Sequence, residues 1–123
     1  FRRVLFRSAA GPRLLALAEE LLEHWVVAHD GVPTQETREG FRLLALHRQG
    51  AQGMPSFNAC RETCREIVYH HNLLRDAQDA RAARMMALLV RHLGYFVRGK
   101  LESARLGEFC CASRPVREAD VVN

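Results

Sequence analysis

Apolar residues recur along this chain at spacings of three and four, and the pattern predicts four helices. In the first, Leu14, Leu17, Ala18, Leu21, Trp25 and Ala28 share a face, while Glu19, Glu20 and Glu23 fall opposite. The helix is expected to end at Asp30-Gly31, with the glycine taking the left-handed conformation that closes it. Thr34, after Pro33, predicts the N-cap of a second helix running to Gln49, with Glu36 in its first turn and Gly50 as its stop. That helix carries Phe41, Leu44 and Ala45 on one side, and Leu43 and Leu46 on roughly the other. Two apolar sides imply two buried contacts: either this is the most central helix of the bundle and both lie within the chain, or one is with the chain's own core and one with a partner.

After the loop GAQGMP, Ser56 is the expected cap of a third helix. Its seam is Phe57, Cys60, Cys64, Ile67, His71 and Leu74, at alternating spacings of three and four. A fourth pattern covers Asp79 to Leu106, with Met86, Leu89, Leu93, Phe96 and Val97 inward. Joined without a break, the last two helices would make a rod of about 75 Å, too long for a domain of this size. A turn between Arg75 and Asp79 follows, although no Gly or Pro marks it.

Pro12, Pro33, Pro55 and Pro115 fall between the periodic segments. β-branched residues are sparse, and Ile67 is the single isoleucine. The expectation is all-α: one four-helix domain over residues 9–111, an antiparallel up-down bundle, followed by a weakly ordered tail over 112–123.

Charge changes the picture only after the first eight residues are considered. FRRVLFRS back-translates to TTC AGA CGT GTG CTC TTC CGA TCT, the end of a common short-read sequencing adapter, so residues 1–8 are expected to be foreign to the protein. The chain holds 18 basic and 14 acidic residues, and Arg2, Arg3 and Arg7 lie in that stretch. Beyond it 15 basic residues face 14 acidic ones, which removes most of the case for an anionic partner. All but one of the basic residues are Arg, which suits a GC-rich, bacterial coding sequence. Cys60 and Cys64 are one helical turn apart, and Cys110 and Cys111 are adjacent. Neither pair suits an ordinary disulfide, so reduced thiols and a cytoplasmic location are expected. No apolar run approaches the roughly 18 residues of a membrane span.

Three motifs offer chemistry. GYFVRGKL, Gly94 to Leu101, approximates a phosphate-binding loop, but it has Leu101 in place of Ser or Thr and lies inside a helical pattern whose amides are already used. Cys60, Cys64 and His71 share a helical face and are the candidate ligands for zinc or another transition metal, or the elements of a redox sensor. The competing reading is core packing, since unpaired cysteine behaves as a small hydrophobe. Arg84, Arg91, Arg98 and Arg105 recur every seven residues on the outer side of the fourth helix, with Leu88 and Tyr95 beside them. This stripe is the candidate partner-binding surface.

His24, His29, His47 and His92 are scattered and are expected at helix surfaces or boundaries. No catalytic constellation can be assembled from spacing, so the protein is read as non-enzymatic and without a cofactor. The function expected is that of a small helical accessory or regulatory protein that binds another protein or itself. The alternative is the thiol/histidine metal or redox sensor. A nucleic-acid-binding regulator, with the second and third helices imitating a helix-turn-helix, ranks third, because the connector Gln49 to Ser56 exceeds that motif's three or four residues.

Overall fold

A computed structural model describes residues 10–77 and 79–111, with side chains described to residue 104. These residues form four α-helices and one 3₁₀ segment: α1 Ala10–Ala28, α2 Arg42–Ala51, the 3₁₀ segment Pro55–Cys60, α3 Arg61–Asp76 and α4 Ala80–Cys111. There is no strand among the described residues, and the helices pack as a bundle. Helix α4 lies against α1 and α3, while α2 lies against α1, α3 and the 3₁₀ segment. The expectations for residues 1–8 and 112–123, and for the side chains of Arg105, Cys110 and Cys111, fall outside what is described.

The end of α1 differs from expectation in one residue. Gly31 N–H reaches the Val26 carbonyl at 2.9 Å, and Asp30 N–H reaches that of Val27 at 2.9 Å. This is a Schellman closure in which Asp30, not Gly31, takes the left-handed position, with φ 66°. Gly31 is required for space. A β-carbon there would lie 2.8 Å from Val26 Cγ1 and 3.2 Å from the Val26 carbonyl oxygen.

The buried arc of α1 is also rotated. Ala18, Leu22, Trp25 and Val26 are buried, whereas Leu17 is 48% exposed and Ala28 is exposed. Helix α1 is covered by α2, α3 and α4 together, so its apolar arc is broad and centred on Leu22. Glu19 and Glu23 do not face open solvent either. Arg42, the first residue of α2, pairs with both of them and donates from Nε to the Thr34 carbonyl at 2.8 Å.

Helix α2 begins eight residues later than Thr34. Arg38 and Phe41 exchange both backbone hydrogen bonds at 3.0 Å, around Glu39 (φ 55°) and Gly40 (φ 85°). Two consecutive positive φ values form a mirror-image two-residue turn and are incompatible with a right-handed helix. The Thr34 hydroxyl accepts the Glu36 N–H at 3.1 Å, a local turn in place of a helix cap. Gln49 pins the segment, accepting the Thr34 N–H at 2.9 Å and donating to the Val32 carbonyl at 2.7 Å.

Both apolar sides of α2 are buried within the chain. Leu43 and Leu46 are wholly buried, and Leu44 and His47 nearly so. The second contact is made by the 3₁₀ segment and α3, the arrangement of a central helix rather than of a partner-facing one.

Phe57 is the hub of the lower core. It stacks on Trp25 at 4.4 Å between ring centroids, on His47 at 5.6 Å, and meets Phe96 at 5.7 Å. Trp25 Nε1 donates to the buried Gly50 carbonyl at 3.0 Å. Ser56 caps nothing: α3 begins only at Arg61, and the Ser56 hydroxyl instead takes a hydrogen bond from the Lys100 ammonium. Lys100 thus lies half-buried on the inner side of an unbroken α4 and sends its charged end to the rim.

The turn before α4 falls where length demanded it. Ala77 is extended (φ −151°, ψ 148°), and Asp79 caps α4, its Oδ1 accepting the Arg81 N–H at 2.9 Å. The inner face of α4 is Met86, Val90, Leu93 and Val97, with Leu89 and Phe96 half-buried beside it.

Candidate functional site

The end of the 3₁₀ segment seats Cys60 in the core and the first turn of α3 seats Cys64, wholly or almost wholly buried, as free thiols. Cys60 Sγ donates to the Phe57 carbonyl at 3.3 Å, and His47 Nε2 reaches the same oxygen at 3.3 Å. Hydrogen bonding from the Cys64 thiol, then from His47 together with its charge, draws Cys60 down to about 6 against the opposing effect of burial. Cys64, giving up its hydrogen bond to Cys60 in an apolar setting, is pushed well above the usual thiol range. Cys60 is therefore the thiol that ionises first.

His71 does not join this pair. It shares the face of Cys64, but seven residues along a helix are about 10 Å, and two ligands of one metal ion must stand far closer than that. His71 lies instead edge-on to Phe41 at 5.5 Å, under Gly11 of α1. Among the described residues no three His, Cys, Asp or Glu side chains gather to hold a metal ion. The imidazole beside the thiols is His47, which the sequence reading left at a boundary; its place between Leu46 and Arg48 on a two-sided helix was the available signal.

The outer stripe of α4 stands where periodicity put it. Arg84, Leu88, Arg91, Tyr95 and Arg98 are all exposed. Arg91 is partly occupied with its neighbour: its Nε donates to the Tyr95 hydroxyl at 3.3 Å, and its guanidinium carbon lies 5.7 Å from that ring's centre. The hydrogen bond, and then the charge, hold the Tyr95 phenol below its ordinary range. Arg98 pairs with Glu102 at 3.6 Å. Beside the stripe, a shallow groove of about 410 Å³ runs between α1 and α4, floored by Leu17, Leu21, Val90 and Gly94 and flanked by Glu20, His24 and Arg91. The phosphate-loop lookalike is continuous helix.

A second basic grouping has no counterpart in the sequence reading. Arg38 from the 38–41 turn, Arg48 from α2, and Arg61 and Arg65 from α3 border one pocket of about 260 Å³, with His47 in its wall. No family model, curated protein or solved structure matches the chain. No helix among the described residues is long and apolar enough to cross a membrane.

Proposed function

We propose that this protein is a non-enzymatic helical accessory protein that works by protein–protein binding, and that the groove between α1 and α4 seats a second copy of the chain. The observation that carries this reading is an apolar floor open to solvent between charges of both signs. Leu17 is 48% exposed and, beyond Arg91, Leu88 and Tyr95 are each 56% exposed. Glu20 stands on the α1 bank and Arg91 on the α4 bank. A two-fold axis through the groove sets each Glu20 against the other copy's Arg91, the self-complementarity an isologous dimer needs. The buried faces of α2 lend this reading no support, because the chain covers them itself.

Sedimentation equilibrium tests it. Reversible dimerisation is expected, lost in Leu17→Glu and Leu88→Glu and weakened at high salt; a wild-type protein that stays monomeric at all concentrations overturns the reading.

The thiol pair favours a second reading, a redox sensor with His47 in the place assigned to His71. At pH 7 an alkylating agent should modify Cys60 before Cys64, and His47→Gln should reduce that preference while the Cys64 hydrogen bond keeps part of it. Equal rates in the wild type would sink it.

A further inference from the structure

We propose that the pocket between the 38–41 turn, α2 and the start of α3 binds the phosphate of a small phosphomonoester. Four arginines, Arg38, Arg48, Arg61 and Arg65, line it from segments that only folding brings together. Arg65 is held by Glu39 through two hydrogen bonds, of 3.1 and 3.2 Å. Among the described residues, the guanidinium groups of Arg38, Arg48 and Arg61 have no ion pair or side-chain hydrogen bond.

The acidic groups nearby do not answer these charges. Glu39 serves Arg65; Glu62 follows Arg61 on α3, and its charge reaches Arg65; Glu36 borders only the neighbouring hollow. Among the described residues no carboxylate lines the pocket itself. The Glu39 carboxyl reports the local field: it is held below the ordinary carboxylate range first by Arg65, and also by Arg38 and Arg61. Beyond residue 8 the chain is almost neutral, with 15 basic and 14 acidic residues, so the convergence is local and not a general excess.

Shape and chemistry choose the ligand. Planar guanidinium forks match phosphate oxygens two at a time, and such charge-assisted hydrogen bonds are the strong ones. Asn58 and Gln52 on the rim add amide donors. At about 260 Å³ the pocket admits one phosphate and a few more atoms. The adjoining hollow, about 480 Å³, shares Arg38, Arg48 and Gln52 and offers Thr37 and Glu36, polar groups suited to a hydroxyl-bearing body. A sugar or polyol phosphate meets both parts. A nucleic-acid backbone would call for charges strung along a track, whereas these close on one point.

Calorimetric titration of the full chain with glycerol phosphate and with inorganic phosphate tests this. Saturable binding is expected, tighter for the ester than for inorganic phosphate. Arg48→Ala and Arg61→Ala should each weaken it about tenfold, and Arg48→Lys less, since charge remains and the fork is lost. Both arginines are exposed, so the variants should fold, with circular dichroism as the check. Arg75→Ala, exposed at the far end of α3, should bind as the wild type does, and comparing variants of one chain cancels the contribution of Arg2, Arg3 and Arg7. Absence of saturation, equal loss in Arg75→Ala, or tighter binding of a single-stranded oligonucleotide than of the ester would each overturn the proposal.

Discussion

Where α1 crosses α4, a β-carbon on Gly94 would meet Leu21 Cδ1 at 3.6 Å, an ordinary contact. Where α1 meets α2 and the 3₁₀ segment, a β-carbon on Gly50 would lie 2.8 Å from Trp25 Cδ1 and 3.0 Å from Phe57 Cε2. The first region is two helical stripes laid together, with slack at the seam. The second is a fitted seat, in which a ring, a backbone carbonyl and a second ring leave no room for a methyl group. The difference shows where this fold is specified: stripes tolerate small changes of volume, while the Trp25, Gly50, Phe57 seat holds the connectors that carry both the thiol pair and the arginine pocket.

The sharpest test removes the hub. Phe57→Ala should cost about 4 kcal/mol in urea-induced unfolding, because it empties a wholly buried site shared by Trp25, His47 and Phe96. A loss no larger than that of Ala82→Gly would show that the seat is not fitted. Gly50→Ala comes next, with a loss of about 2 kcal/mol from overpacking between two rings. Its counterpart Gly94→Ala should raise stability by roughly 0.7 kcal/mol, since α4 gains helix propensity at no steric cost. If both glycine variants moved the melting temperature the same way, the comparison would fail.

The smallest effect is electrostatic. The Glu39 carboxyl is depressed in the folded state by Arg65, so its contribution is present above the carboxylate's unfolded pKa and is lost as pH falls through the folded one. Arg65→Ala should therefore melt below the wild type at neutral pH, with the gap closing towards about pH 3. A gap independent of pH would assign the Arg65 effect to packing.

The stripes were legible because each is a property of one segment. Met86, Leu93 and Val97 recur at helical spacing, and the outer arginines fall opposite them, so the four helices and the exposed face of α4 follow from order along the chain. The turn before α4 was legible from length alone, and Asp79 supplies its mechanism. Segment 35–41 fits a helical start, with Thr34 as its cap and Glu36 in its first turn, and only Gly40 argues against it. Propensity there yielded to the Gln49 clamp, to Arg42 on Thr34, and to the Arg65 grip on Glu39, all of them long-range contacts.

Sequence by itself determined that this protein is helical, where the oily face of α4 runs, and that two thiols lie on an inward seam. Tertiary structure alone decided that His47 rather than His71 stands beside those thiols, and that Arg38, Arg48, Arg61 and Arg65 share a pocket. Periodicity records direction around a single axis. Convergence depends on the distance along that axis and on how separate segments are turned toward one another, which only packing sets.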